Sequence, residues 1–195
     1  MRIAKIERKT KETDIKLELN LDGVGASQID TGCGFLNHML EIFARHARVD
    51  LNVYCVGDVE VDYHHTAEDI GIVLGQAIKS ALSDMKGIVR YGTTILPMDE
   101  SLILTAIDIS GRSLLKFELP VRAKKVGDFD VELVEEFFLA LVRHAGITLH
   151  VKKLAGTNAH HVIEGAFKSF ARSLKSAVAI DKDFANEIPS TKGVL

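Results

Sequence analysis

His64-His65-Thr66-Ala67-Glu68 and His160-His161-Val162-Ile163-Glu164 repeat one pattern, HHxxE, in a chain of 195 residues. The match extends to both sides. Lys79-Ser80-Ala81 and Lys175-Ser176-Ala177 each begin fifteen residues after the first histidine of their pair. Upstream, Arg45-His46-Ala47, Leu51 and Val53 match Arg143-His144-Ala145, Leu149 and Val151 at an offset of 98. The later block is offset by 96, so a two-residue gap separates the blocks. Nearer the N-terminus, Glu12 through Gly23 can be laid on Glu100 through Gly111, given an insertion before residue 130. Two amphipathic helices share a period without a shared origin, but a period alone does not place two histidine pairs. At this composition, chance supplies about 0.05 such strings. The chain therefore reads as an internal duplication, with pseudo-repeats of about 1–88 and 89–180 and a C-terminal tail.

Local periodicity fits the repeat. Residues 2–8 and 14–21 alternate apolar and polar, the strand period, with Ile15, Leu17, Leu19 and Leu21 on one side. Residues 33–47 carry Phe35, Met39, Ile42 and Phe43 at helical spacing. A strand is expected over 49–61 and a helix over 65–84. In the second half, strands are expected over 101–109 and 113–119, a helix over 131–145, a strand over 147–153 and a helix over 161–179. The order is then β-β-α-β-α per half. That predicts an α+β fold of two sheets, each with two helices on one face. From Asp181 onward the chain reads as an irregular tail. No low-complexity linker separates the halves, so they are expected to share an interface.

Composition narrows the function. The 24 Lys and Arg against 27 Asp and Glu leave a formal charge of −3. No Lys/Arg-rich block occurs, which argues against nucleic acid or an anionic membrane as partner. No apolar stretch approaches the ~20 residues that cross a bilayer. The first residues alternate polar and apolar and lack the apolar core of a signal peptide, so a cytoplasmic location is expected. Cys33 and Cys55 sit in no metal-type cysteine pair and read as reduced thiols.

On a helix, residues three and four apart share a face, so each glutamate can stand beside a histidine of its own string. Adjacent histidines diverge by about 100° on a helix, so the two rings of a pair suit two different ions. His38 precedes the first pair, and its counterpart at offset 98 is Glu136. The candidate metal donors are then His38, His64, His65, Glu68, Glu136, His160, His161 and Glu164. Shared over two ions, each receives four, and an octahedral ion keeps positions for water or substrate. Nitrogen and oxygen donors without sulfur suit Mn²⁺, with Fe²⁺ and Zn²⁺ behind it. His46 and His144 read as hydrogen-bonded structural histidines, and His150 stays open. Arg112 after Gly111 and Lys192 in Ser190-Thr191-Lys192-Gly193 could serve a phosphate, although scattered basic residues are commonly surface charges.

Four strings carry a family resemblance: Gly34-Phe35-Leu36-Asn37-His38-Met39, His64-His65-Thr66-Ala67-Glu68-Asp69, Gly156-Thr157-Asn158-Ala159-His160-His161 and Pro189-Ser190-Thr191-Lys192-Gly193. In this order, across essentially the whole chain, they resemble the imidazoleglycerol-phosphate dehydratase family of histidine biosynthesis, in its monofunctional form. The resemblance implies one dehydratase domain over 1–195, made of two ribosomal-S5-domain-2-like halves. It also implies a homo-oligomer of 24 subunits and two Mn²⁺ per active site. One ligand set would be His64, His160, Glu164 and position 136; the other would be His38, His65, Glu68 and His161. Position 136 departs from the pattern, since some members have His where this chain has Glu. Phosphate-binding residues fall on Arg90, Arg112, Lys168, Ser190 and Lys192, and the acid/base glutamate falls on Glu12.

The implied reaction is dehydration of D-erythro-imidazole glycerol phosphate to imidazole acetol phosphate. The proton on the carbon away from the ring is not acidic, so the ring must relay electrons. The expected route is a dimetal-bound imidazolate that expels the hydroxyl, giving a diazafulvene-like intermediate. Glu12 would then shuttle the proton. Two other classes compete. A two-metal hydrolase or phosphatase would lean on Asp and a bridging carboxylate, and a metal-storage shell would need no phosphate donors.

Overall fold

The computed structural model describes residues 1–195. Strands β1 (Ile3–Lys9), β2 (Thr13–Asn20) and β3 (Ser27–Asp30) precede helix α1 (Gly34–Ala47), strand β4 (Asp50–Gly57) and helix α2 (His64–Leu82). Strands β5 (Tyr91–Met98), β6 (Ser101–Ile109) and β7 (Leu114–Glu118) follow. A small hairpin, β8 (Lys125–Val126) and β9 (Phe129–Asp130), leads into helix α3 (Leu133–Ala145), strand β10 (Ile147–Ala155) and helix α4 (Ala159–Ala177). The two four-stranded sheets have one plan. Their orders are β1-β2-β4-β3 and β5-β6-β10-β7, and in each the last pair is parallel while the others are antiparallel. The expected α+β class and the duplicated halves are both present.

Each four-stranded sheet has one strand more than the sequence predicts, and the second half adds the β8–β9 hairpin. β3 is four residues long and faces solvent along most of its length, so it lacks the alternation that marks a strand. β5 is an edge strand whose inward row begins at Gly92, and Pro97 is tolerated at that edge. The strand expected over 49–61 stops at Gly57. Asp58 N–H donates to the Glu12 carbonyl and Val61 N–H donates to the Asp58 carbonyl, which turns the chain. Val59 and Val61, which continue the alternating pattern, are left exposed.

Alternation places Ile15, Leu17 and Leu19 of β2, with Leu51, Val53 and Cys55 of β4, on the inner face of the first sheet. On α1 the buried row is Leu36, Met39, Leu40, Phe43, Ala44 and Ala47, one face of a 3.6-residue helix. α1 and α3 both end at a left-handed residue, Arg48 and Gly146, the same position of the two repeats. Cys33 and Cys55 are free and buried, and burial pushes the Cys55 thiol up to about 12.

The helices pair across the halves, α1 on α4 and α2 on α3, forming a β/α/α/β stack with one continuous core. The two pairs close differently. Gly71 and Gly75 of α2 lie so near α3 that a Cβ at either would stand 2.5 Å from the carbonyl oxygen of Phe137 or Leu141. α1 and α4 meet instead through stacked Phe43 and Phe170, with centroids 5.5 Å apart. In both pairs the helices run in the same direction, because low numbers meet low and high meet high. The β8–β9 hairpin lies where the repeat needs its insertion. It delivers buried Phe129 between Phe35 (centroids 5.3 Å apart) and Tyr63 (6.5 Å).

Candidate active site

The parallel pairing of α1 with α4 brings three predicted donors together. His38, the fifth residue of α1, stands 3.9 Å from Glu164 Oε2, and His160 Nε2 stands 3.1 Å from the same oxygen. One ligand atom from each lies within 4.8 Å of the others. Phe35 packs edge-on against the His160 ring at 5.5 Å. Glu164 is almost fully buried. Burial raises its carboxyl, but the Lys168 ammonium 2.6 Å from Oε1 and the His160 contact outweigh that and hold it below the usual range. Asn158 caps α4 and accepts from the backbone N–H of His160 and of His161, which fixes the first turn.

The second group forms where α2 begins. His64 Nε2 lies 4.0 Å from Glu68, and His65 Nε2 lies 3.8 Å from Glu12 Oε1. His65 Nδ1 is 2.9 Å from Asp58 Oδ2, and this hydrogen bond raises the imidazole pKa. His161 Nδ1 is 2.7 Å from Glu100 Oε2, which raises that imidazole and holds Glu100 down to about 2. Glu136 is half-buried and lies four residues before Ala140, which abuts Gly71; Glu68 lies three residues before Gly71. Glu68 and Glu136 therefore stand at the same end of the α2–α3 contact, as His38 and Glu164 do for α1–α4.

The basic residues divide. Arg90, in a left-handed conformation at φ 75°, donates to Asp108 Oδ1 (2.8 Å) and to the Pro189 carbonyl (2.7 Å). Arg112 reaches the same Asp108 at 3.4 Å. The tail carrying Ser190 and Lys192 is thereby held beside Arg90. Lys168 is elsewhere, paired with Glu164. Arg90 N–H donates to the carbonyl of Ala177, the last residue of α4, whereas His160 is the second. At 1.5 Å per residue, those two ends are roughly 25 Å apart.

Residues 31–174 match the family model described as imidazoleglycerol-phosphate dehydratase. Relatives of that name from Azorhizobium caulinodans and Desulforamulus reducens are 58% and 59% identical over 195 and 194 residues, covering 100% of this chain and 99% and 98% of theirs. The crystal structure of the Staphylococcus aureus dehydratase superposes with a TM-score of 0.84 at 44% identity, over 92% of this chain and 99% of that one. The Pyrococcus furiosus structure, in complex with (S)-C348, gives 0.81 at 36% identity, over 97% and 100%.

This chain belongs to the imidazoleglycerol-phosphate dehydratase family. It is a hydro-lyase of histidine biosynthesis that acts on a small-molecule substrate. No helix is long and apolar enough to cross a membrane.

The donor chemistry of this dehydratase fits a divalent metal. His38, His160 and Glu164 converge, and Lys168 and His160 hold the Glu164 carboxyl below its usual range, in the ionised form a ligand needs. Within one chain, His38 groups with His160 and Glu164, and His64 groups with Glu68. The two sets implied by the resemblance each draw on both groups. Sequence reasoning missed Asp58, Glu100 and Asp108, which hold His65, His161 and the two arginines. Only Glu100 left a signal, as the repeat counterpart of Glu12. His144 is structural as expected, with Nδ1 donating to the Ala140 carbonyl at 2.8 Å.

Proposed function

We propose that the chain, as one domain over 1–195 with pseudo-repeats of about 1–88 and 89–180, dehydrates D-erythro-imidazole glycerol phosphate to imidazole acetol phosphate in the cytoplasm. The observation that carries the reading is the His38–His160–Glu164 cluster, with Glu12 beside His65 at the second histidine pair. His38, His64, His65, Glu68, Glu136, His160, His161 and Glu164 would hold two Mn²⁺ per site. Such ions would supply Lewis acidity and a template for the substrate.

The rest falls to the protein's own groups. Once the ring has given up its N–H proton, the hydroxyl on the carbon attached to it leaves as water with a proton from Glu12; the diazafulvene-like substrate that results has an acidic neighbouring C–H, whose proton returns to Glu12 as the ring regains its own. Glu12 is the proton carrier for that carbon and the departing hydroxyl. Arg90, Arg112, Lys168, Ser190 and Lys192 bind the phosphate and hold the reacting carbons in place. Phe35, backed by Phe129, sets an apolar edge against His160.

The reading includes self-association, into the 24-subunit shell that the resemblance implies, and one feature of the chain's geometry supports it. The histidine cluster and the Arg90 tail group lie at opposite ends of α4, too far apart to grip one small molecule. A neighbouring copy would bring the missing end.

The test is product analysis of purified, Mn²⁺-loaded protein with the phosphorylated imidazole diol. Formation of the ketone with phosphate retained is expected. Release of inorganic phosphate would favour the hydrolase reading, and binding without turnover would favour storage.

A further inference from the structure

We infer that Asp58 and Glu100 are positioning residues that turn His65 and His161 so that Nε2 is the nitrogen offered to metal. The inference rests on the proposed metal-binding reading of those histidines.

Asp58 Oδ2 lies 2.9 Å from His65 Nδ1, and Glu100 Oε2 lies 2.7 Å from His161 Nδ1. An ionised carboxylate only accepts, so each contact requires the hydrogen on Nδ1. The lone pair of the neutral ring is then on Nε2. A carboxylate behind an imidazole fixes its tautomer and orientation and makes it a better ligand. The first histidine of each pair, His64 or His160, has no such partner on Nδ1.

The two carboxylates come from different places in the repeat. Asp58 follows β4, seven residues before His65, in the turn that ends the strand early. Glu100 sits in the β5–β6 turn, 61 residues before His161. By the repeat, the counterpart of Glu100 is Glu12. In the first half, Asp58 takes the Nδ1 of His65, and Glu12 stays 3.8 Å from Nε2 with just over half of its side chain exposed. Equivalent glutamates have thus divided the work, one left free to carry protons and one committed to orientation.

The second oxygens of Asp58 and Glu100 make the test sharp. Asp58 Oδ1 is buried without a partner. Asn at 58 can keep its oxygen on His65 Nδ1 and place its NH₂ where no donor opposes it. Glu100 Oε1 accepts from the N–H of Thr157 (3.2 Å) and Asn158 (2.9 Å) and from the Ser101 hydroxyl (3.2 Å). Gln at 100 has one oxygen for two accepting positions. With that oxygen on the backbone, its NH₂ faces Nδ1 and demands the other tautomer, which puts hydrogen on Nε2.

The experiment is Mn²⁺ titration, by electron paramagnetic resonance, of the metal-free whole protein and four variants, with the metal-free melting temperature measured alongside. Asp58→Ala, Glu100→Ala and Glu100→Gln should each weaken Mn²⁺ binding by ~10–100-fold, whereas Asp58→Asn stays close to the parent. Unchanged affinity in all four variants, or equal losses for Asp58→Asn and Asp58→Ala, would overturn the inference. So would losses that simply follow the melting temperature. A parent protein that binds no Mn²⁺ would instead sink the metal-site reading itself.

Discussion

Glu12 is held by its backbone, not by its side chain: its N–H donates to the Thr10 hydroxyl at 3.0 Å and its carbonyl accepts from Asp58. Its carboxylate is therefore free to move between the His65 edge and a substrate. Glu12→Gln should bind metal and substrate as the parent does while turnover falls by ~10²-fold or more; steady-state kinetics with a separate binding measurement checks this. Near-normal turnover would remove Glu12 from the chemistry. At this scale the sequence is informative where a residue names its own role. Two histidine pairs with a glutamate at i+4 mark candidate donors wherever the helix lies. It is silent where a role depends on a tertiary partner. Nothing local says that Glu100 will meet His161, or that Asp108 will hold both Arg90 and Arg112. Lys168 shows the cost, since its one-turn spacing from Glu164 sets its first partner in the structure.

Helix periodicity carried well into the structure because apolar rows at i, i+3 and i+4 bury one face whatever lies opposite. The strands with clean alternation, β2 and β6, were legible for the same reason. β3 and β5 were not, because the one is nearly all exposed and the other opens its inner row with Gly92. The choice of partner helix was also unreadable, although its signature is present: Gly71 and Gly75 are four residues apart on α2, where α4 carries Phe167 and Ala171 at offset 96. Gly71→Ala would press a methyl group against the Phe137 carbonyl. Overpacking of that kind costs about 1–3 kcal/mol, so the melting temperature of the metal-free protein should drop by several degrees. An unchanged melting curve would mean that α2 and α3 can separate at no cost. Because Glu68 and Glu136 stand at the end of this contact, the same substitution should also loosen Mn²⁺ binding.

The whole molecule joins its halves through helices, each sheet lending two to a common middle. That arrangement was legible as a duplication with a shared interface, but the division of the candidate site was not. Sequence order gives no sign that His38, His160 and Glu164 gather at the start of α4 and the Arg90 group at its end. Chelation with EDTA is expected to abolish turnover and to shrink the particle seen by analytical ultracentrifugation, since donors supplied by neighbouring copies would lose their common ion. A particle of unchanged size would assign cohesion to the subunit contacts alone.

The length of α4 has one more consequence, genetic in kind. A chain with His160→Ala and a chain with Arg90→Ala are each expected to be dead alone, yet their defects fall at opposite ends of one rod. Refolded together in equal amounts, they should complement: random mixing leaves roughly a quarter of the sites with both ends intact. If each chain served only itself, the hybrid would stay as inert as its parents.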